Sequence, residues 1–329
     1  MDKQHFLISR TDGIGDAILT LPLAGALKKE FPNCKISFLG RTYTKAIVKA
    51  CVHIDEFVNF DEVKEDLVSE LKRLQANTIF HVFPQKAIAF AAKAAGIQTR
   101  IGTARRWYMI QSVNKPLFYS RKKSELHEAQ LNLKMLQAMK VKSDYSLSEI
   151  AQLYGVKTLE LPTKLEAQLD KRKTLLVLHP LSHGSALEWP TSSFGGLIDL
   201  LPEDDFQVII TGTQKERDAM ADQLPWAKKN VLDFTSSLSL DELFSLCAHA
   251  DALIAASTGP LHMAAAAGTV ALGLYSPKQP IWPKRWQAIG ANADYLVCKT
   301  HPENGALPFT PQEVFLKLKE MLLARETKS

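Results

Sequence analysis

The stretch SRTDGIGDAILTLP, residues 9–22, places two aspartates and two glycines directly after a short apolar run. A carboxylate at the end of a first strand could accept a proton from a sugar hydroxyl. Asp16 could instead only cap the helix that the following residues predict, because Asp is a preferred N-cap residue. Asp12 is predicted as a turn residue. The residue type alone leaves both interpretations of Asp16 open, with the cap favoured.

The same glycines do not predict a nucleotide-binding loop. The dinucleotide fingerprint GxGxxG requires a third glycine where Ile18 stands, and the P-loop pattern GxxxxGK[ST] occurs nowhere in the chain. A carboxylate at a helix N-terminus also repels phosphate and competes for the same amides. Any phosphate is therefore expected elsewhere.

A second turn, AASTGPLHMAAAAG, has the composition of an anion site. The apolar run before it predicts a strand, Ser257, Thr258 and Gly259 form the turn, and Pro260 suits the first turn of a helix. Free backbone amides, the Thr258 hydroxyl and the His262 imidazole would then meet at one helix end. The alternative is an ordinary strand–helix turn with a packed histidine.

Two further polar turns are candidates for binding phosphate or sugar. Ser182 and Ser185 lie in LSHGSALEWP, which could also be a solvated loop. Glu216 follows the strand-like FQVIITG and could accept hydrogen bonds from ribose, or only interact with a helix dipole. No Asp-x-Asp pair occurs, so a diphosphate would be neutralised by helix ends and side chains, without a metal site.

The elements around these turns alternate between strand and helix in both halves of the chain. The strand-like runs are HFLIS, KISFLG, EFVNF, TIFHVF, TLLVLHP, FQVIITG, NVLDFT, ALIAAS and VALGLYS. This rhythm predicts an α/β protein with two Rossmann-like parallel-sheet domains and a cleft at the carboxyl ends of the sheets. Residues 151–173 are predicted as the linker region, Pro22 as a kink or a late helix start, and residues 311–326 as an amphipathic helix.

Composition narrows the class of protein. The chain has 329 residues, 46% of them hydrophobic, and a net charge of +5, which is too small to indicate nucleic acid as a partner. Its four cysteines show no CxxC spacing, which favours a reducing compartment. No apolar run is long enough to span a membrane, so a cytoplasmic protein is expected, with peripheral membrane contact left open.

Six segments together resemble glycosyltransferase family nine, the bacterial lipopolysaccharide heptosyltransferases. They are RTDGIGDAILTLP, RIGTARRW, ELHEAQLNLKML, HPLSHGSALEWP, ITGTQKE and STGPLHMAAAAGT, in the family's order along nearly the whole chain. The resemblance implies a GT-B fold, with an acceptor-binding domain at residues 1–165 and a nucleotide-sugar-binding domain at 166–310. A helix at 311–329 would pack back toward the first domain.

The resemblance also implies the reaction, an inverting and metal-independent transfer without a cofactor. The donor would be a nucleotide sugar, typically ADP-heptose. The acceptor would be an anionic glycolipid, the Kdo-containing lipopolysaccharide inner core, reached by peripheral contact at the inner face of the cytoplasmic membrane. Asp16 occupies the position of the family's base, and this favours the base over the cap.

Site residues follow from the same resemblance. Donor contacts are expected from Ser182, Ser185, Thr211, Gly212, Glu216, Ser257, Thr258, Gly259, Pro260 and His262. An anionic acceptor requires cations on the first domain, and the candidates are Arg41, Arg100, Arg105, Arg106, Lys122 and Lys123. A solvated basic face is the alternative for each of these six.

The chain departs from the family pattern at two donor-site positions. Leu187 stands where the family usually has Lys, and Ser257 where its glycine turn usually begins with Asp. Lys215, His183 or Lys278 could compensate. The departures leave three alternatives open: transfer of another sugar, a catalytically silent sugar-nucleotide or glycolipid binding protein, and an epimerase on the same fold.

Overall fold

A computed structural model describes residues 4–157, 159–182, 184–303 and 305–327 of the chain. The chain divides into two compact units, Met1–Lys157 and Thr158–Ser329. The division falls inside the predicted linker region of residues 151–173 and ahead of the predicted boundary after residue 165.

A six-stranded parallel sheet forms the centre of the first unit, in the order β3-β2-β1-β4-β5-β6. Its strands are β1 (His5–Ser9), β2 (Lys35–Gly40), β3 (Glu56–Asn59), β4 (Thr78–His81), β5 (Thr99–Thr103) and β6 (Lys115–Leu117). The helices are α1 (Ile14–Ile18), α2 (Leu21–Glu30), α3 (Lys45–Lys49), α4 (Phe60–Val63), α5 (Leu67–Leu74), α6 (Lys86–Ala94), α7 (Trp107–Ser112), α8 (Glu128–Leu133) and α9 (Leu147–Ala151). Short 3₁₀ helices cover Thr42–Thr44, Lys64–Asp66 and Lys134–Met139.

The second unit repeats this architecture with the order β12-β11-β10-β7-β8-β9, again parallel. Its strands are β7 (Thr174–His179), β8 (Phe206–Ile210), β9 (Val231–Asp233), β10 (Ala252–Ala256), β11 (Val270–Tyr275) and β12 (Ala293–Val297). The helices are α10 (Thr163–Glu166), α11 (Thr191–Leu200), α12 (Gln214–Ala219), α13 (Leu240–His249), α14 (Gly259–Ala267), α15 (Pro283–Trp286) and α16 (Pro311–Glu326).

Both sheets have the doubly wound order in which the first strand lies at the centre. The strand order reverses between β1 and β4 in one unit and between β7 and β10 in the other. Ligands of such sheets bind outside the carboxyl ends of the strands at these reversal points. The turns after β1 and β10 are therefore the places where each unit is built to bind or react.

The central strands are apolar because helices cover both faces of the sheets. Every residue of β1 and of β10 is buried. Strands of a parallel sheet that is covered on both sides read as continuous hydrophobic runs, which is why the sequence predicts them correctly. Three strands were not predicted: the edge strands β6 and β12, which contain exposed polar residues, and β5, whose sequence TRIGT has a single large apolar residue.

Helix breaks follow Pro and Gly as expected. Where a kink or a late helix start was predicted at Pro22, the chain forms the two helices α1 and α2, and Pro22 lies in the first turn of α2. The helix α14 ends at Gly268, whose φ of 90° is left-handed. The C-terminal helix α16 packs on α11 and β11 of the second unit. A contact between α16 and the first unit stays a prediction.

Within the described residues, no helix is both long and apolar enough to cross a membrane.

Candidate active site

Asp16 lies in the first turn of α1, directly beyond the end of β1. The N-cap residue of α1 is Gly13, three residues before Asp16, so Asp16 is not the residue that caps this helix. A Cβ at residue 13 would lie 2.9 Å from Oδ2 of Asp16, so the glycine leaves room for the carboxylate. The capping alternative for Asp16 is therefore wrong, and its carboxylate is engaged elsewhere.

The partner of Asp16 is Arg10, a buried cation that the sequence analysis missed. The Arg10 side chain is only 4% exposed, and one terminal nitrogen pairs with Oδ1 of Asp16. Its Nε donates to Oδ1 of Asp12 at 2.6 Å. The other terminal nitrogen lies 3.4 Å from Oε1 of Glu128 and 3.5 Å from Oδ1 of Asn132. One guanidinium thus holds three carboxylates around the end of β1.

The helix α8 supplies the far side of this network. Glu128 and Asn132 are four residues apart on α8, so they share one face of the helix, and α8 packs against α2. Arg121 also pairs with Glu128 and donates to Oδ1 of Asn132 at 2.9 Å. The Asn132 amide donates to the carbonyl of Leu19 and to the Thr20 hydroxyl, which ties α8 to the end of α1. These bonds hold the helix that carries Asp16.

Burial raises the pKa of Asp16 to about 6, against the opposing charge of Arg10 and with the help of Asp12 and Glu128. Burial also raises the pKa of Asp12. Burial opposes the charge of Arg10, but the three carboxylates outweigh it, so the pKa of the guanidinium lies above its usual value. With a pKa near 6, Asp16 is about nine-tenths ionised at pH 7 and is matched to proton transfer near neutrality.

The turn after β10 begins the helix α14 in the second unit. Thr258 is the N-cap residue in an extended conformation, and its side chain makes no cap hydrogen bond. The residue is only 7% exposed, and its hydroxyl has no partner among the described residues. Gly259 and Pro260 open the helix, and His262 is buried in its first turn. Ser257 hydrogen-bonds the Tyr275 phenol. This is a helix N-terminus with an unsatisfied hydroxyl, which suits an anion.

The turn after β8 is closed by its own side chains. Glu216 is buried, and its Oε2 accepts hydrogen bonds from the Thr213 amide at 2.6 Å and the Thr213 hydroxyl at 3.0 Å, in a capping box of α12. A Cβ at Gly212 would lie 3.1 Å from the same oxygen. The Thr211 hydroxyl meets Nδ1 of His179 at 3.0 Å. One Glu216 oxygen therefore already serves the helix, as the alternative interpretation expected.

The turn after β7 is likewise internally bonded. The Ser182 amide and hydroxyl both donate to Oε1 of Glu188, at 2.6 and 2.7 Å, and the hydroxyl also lies 3.1 Å from the Ala186 carbonyl. Ser185 is exposed and bonds to the Ser182 carbonyl through its amide. His183 lies outside the described residues. Glu188 was missed by the sequence analysis, because nothing in ALEWP marks it as the partner of Ser182.

The family model for glycosyltransferase family 9 (heptosyltransferase) matches residues 67–306. The chain belongs to this family. A Haemophilus influenzae protein named as a glycosyltransferase is 27% identical over 309 residues, covering 87% of this chain and 86% of that protein. The lipopolysaccharide heptosyltransferase 3 of Escherichia coli K12 is 22% identical over 289 residues, with 83% and 82% covered. The structure of E. coli ADP-heptose lps heptosyltransferase II superposes with a TM-score of 0.76 at 17% identity, covering 98% and 99%.

These matches confirm the predicted class of protein, a glycosyltransferase, and the predicted α/β GT-B fold. Each unit shows the Rossmann-like sheet that this fold requires. The substrate is not part of what the family match shows. No group of three or more His, Cys, Asp or Glu side chains in the described chain is placed to hold a metal ion.

In this transferase the predicted acceptor cations fall into two groups. Arg41 pairs with Asp61 at 2.6 Å. Arg100 donates to the carbonyls of Ser112 and Ile97, at 2.6 and 2.5 Å, and thereby holds loop backbone. The other four are exposed: Arg105, Arg106, Lys122 and Lys123. This second group forms no ion pair within the described residues, and the assignment of all six to the acceptor stays a prediction.

The departure at Leu187 has a structural counterpart. Leu187 is partly buried against the core of the second unit, next to Trp189, whose Nε1 donates to the Phe309 carbonyl at 2.8 Å. The side chain thus contributes packing where a family lysine would contribute charge.

Proposed function

We propose that the protein catalyses an inverting, metal-independent transfer of heptose from ADP-heptose to the lipopolysaccharide inner core, with Asp16 as general base. The observation that carries the proposal is the Asp16 carboxylate, which is partly buried at the sheet reversal point of its unit and bound to Arg10, with a pKa raised to about 6. A family that transfers sugars needs one base for the acceptor hydroxyl, and Asp16 has the ionisation state for that task.

The reaction would proceed in one displacement. Asp16 takes the proton from an acceptor hydroxyl while the hydroxyl oxygen forms a bond to the anomeric carbon. The bond between that carbon and the diphosphate oxygen breaks, and the leaving nucleoside diphosphate keeps the electron pair. Because attack comes from the side opposite the leaving group, the anomeric configuration inverts.

The leaving group requires stabilisation as negative charge builds on it. The amides at the start of α14 and the Thr258 hydroxyl are fixed donors in a buried turn, and fixed donors stabilise charge without reorganisation. Two similar proteins support the substrates, since one is named a lipopolysaccharide heptosyltransferase and the other an ADP-heptose lps heptosyltransferase. The lipid-linked acceptor also implies peripheral contact with a membrane.

Two observations favour a second candidate, transfer of another sugar. Leu187 and Ser257 replace residues that the family usually has in the donor site, and the Haemophilus influenzae relative has a name that specifies no sugar. Compared with the usual family pattern, the donor site of this chain lacks one lysine cation and one aspartate hydrogen-bond acceptor, which could suit a different nucleotide sugar.

A nucleotide-sugar screen tests the proposal. We expect ADP-heptose to raise the melting temperature more than GDP- or UDP-sugars, and to give product of inverted anomeric configuration in the presence of EDTA. Stabilisation by another nucleotide sugar with product formation would support the second candidate. Donor binding without any product would indicate a silent binding protein, and a changed sugar in the absence of acceptor would indicate an epimerase.

A further inference from the structure

The first unit contains a long stretch without acidic residues. Residues 71–124 include eleven Lys and Arg residues and no Asp or Glu, whereas the rest of the chain carries 29 basic and 35 acidic residues. The mild net charge of the whole protein therefore hides a strongly cationic segment. This segment builds the β4-β5-β6 end of the first sheet together with α6 and α7.

Three large apolar side chains are exposed within this cationic segment. Trp107 is 58% exposed, Ile110 62% and Phe118 82%. Trp107 and Ile110 are three residues apart on α7 and share its outer face, while Tyr108 and Met109 face the core with Ala89. Single exposed apolar residues are ordinary, but a group of this size within one surface is a mark of an interaction site.

The backbone brings Phe118 beside the start of α7. The Ala104 amide donates to the Leu117 carbonyl at 2.9 Å, so the residues that lead into α7 run alongside the end of the edge strand β6. Trp107 also packs at 6.0 Å from the Phe90 ring, and the Lys86 ammonium lies 5.2 Å from the Trp107 ring centroid.

Basic residues accompany this apolar group along the chain, and one of them, Lys86, lies over the Trp107 ring. Lys86, Arg105, Lys115 and Lys122 are exposed, and none of them forms an ion pair within the described part of the chain. Exposed Trp with aliphatic and Phe side chains, ringed by Lys and Arg, is the composition of surfaces that lie at the interface of anionic bilayers. Single-stranded nucleic acid would use the aromatic rings and the cations but would gain little from Ile110.

We propose that the α7 face, defined as Trp107, Ile110 and Phe118 with the exposed basic residues Lys86, Arg105, Lys115 and Lys122 of the same segment, seats the protein on an anionic lipid bilayer. The proposal deepens the proposed function, on which it rests, because a lipid-linked acceptor lies in such a bilayer. The apolar side chains enter the headgroup region and the cations approach the anionic headgroups, so both contributions strengthen binding.

Vesicle flotation with the full-length protein tests the α7 face. The protein is expected to bind vesicles of phosphatidylethanolamine and phosphatidylglycerol, and to bind vesicles of phosphatidylcholine at least about tenfold more weakly. Raising the salt from about 0.05 to about 0.5 M should weaken the binding, because it screens surface charges. The emission of Trp107, identified by difference from Trp107→Phe, should shift to the blue on binding.

Two double variants separate the apolar and the charged contributions. Ile110→Ser with Phe118→Ser, and Lys86→Glu with Lys115→Glu, should each weaken vesicle binding by about tenfold or more while the melting temperature is retained. Leu316→Ser with Leu323→Ser on α16 is the matched control, since these leucines are 58% and 59% exposed, and this variant should bind like the parent.

Several results would overturn the proposal. The parent protein could fail to bind vesicles, or bind both lipid compositions equally. The control variant could lose as much vesicle binding as the α7-face variants, or neither α7-face variant could lose any. The protein could also bind a single-stranded RNA oligonucleotide more tightly than the vesicles. ADP-sugar binding and transfer to an acceptor fragment without acyl chains are measured on the same proteins. If ADP-sugar binding and transfer are absent while vesicle binding is present, the proposed function is wrong and the assignment of the α7 face is retained. If ADP-sugar binding and transfer are present while vesicle binding is absent, the assignment of the α7 face is wrong and the proposed function is retained.

Discussion

Glu128 offers a way to tune Asp16 without touching it. Both carboxylates bind the Arg10 guanidinium, through different nitrogens, and the negative charge of Glu128 raises the pKa of Asp16. Glu128→Gln keeps the shape of the side chain and removes that charge. The pKa of Asp16 should therefore fall, and the acidic limb of kcat/KM should move to lower pH.

The size of the shift follows from the geometry. Two carboxylates on one guanidinium lie on the order of 7 Å apart, and at an effective dielectric constant of about 20 such charges interact by about 2.4 kcal/mol, or roughly 1.7 pKa units. Arg121 also pairs with Glu128 and offsets part of its charge. We therefore expect a decrease of about one unit, from about 6 to about 5.

The assay is the pH dependence of kcat/KM for sugar transfer. At pH 5.5 a base with pKa ~5 is about threefold more ionised than one with pKa ~6, so the variant should retain a larger fraction of its plateau rate. The plateau itself should fall by a few fold, because a weaker base accepts the proton less readily. Glu149→Gln, at an exposed pair with Lys142, is the control and should leave the limb in place. An unchanged or upward-shifted limb in Glu128→Gln would refute the electrostatic link.

Three further predictions concern stability and donor binding. The pKa of Asp16 is raised to about 6 in the folded protein, so ionisation of Asp16 costs stability. The stabilising contribution of the protonated form is present below about pH 3.8 and is lost as the pH rises through about 6. Asp16→Asn should therefore raise the free energy of unfolding by about 1–3 kcal/mol at pH 8 and by nearly nothing at pH 4, as measured by urea titration. Thr258→Val removes a buried hydroxyl that has no partner in the described chain, so the free energy of unfolding should stay nearly unchanged. ADP binding, measured by calorimetry, should weaken about fivefold to tenfold, and an unchanged ADP affinity would place the diphosphate elsewhere. Leu187→Lys should tighten ADP binding about fivefold or more, whereas Leu200→Lys on the exposed side of α11 should not; equal effects of both would indicate a general charge effect.

The sequence predicts the fold because its central strands are continuous apolar runs separated by helical segments. The helix break before Pro22 and the stop at Gly268 follow from local backbone chemistry. The edge strands β6 and β12 were missed because they are partly exposed, and β5 because TRIGT has a single large apolar residue, so no continuous apolar run marks any of the three.

The candidate site was predictable only where its contacts are local. The capping box from Thr213 to Glu216 could have been found from the T-x-x-E spacing, which would have assigned one Glu216 oxygen to the helix. The contact from Arg10 to Glu128 spans 118 residues, and no pattern along the chain indicates it. A basic residue at the end of a buried strand was the signal for Arg10, since a cation there needs buried carboxylates around it.

The transfer rate of Asp16→Asn at saturating donor and acceptor tests the role of Asp16 most directly. The amide keeps the size of the side chain and cannot accept the proton, so kcat should fall by about 10²–10⁴-fold while ADP affinity stays within about twofold. Asp12→Asn, which changes another carboxylate on the same guanidinium, should retain most of the activity. An Asp16→Asn protein that transfers sugar at the parent's rate would contradict the assignment of Asp16 as the base.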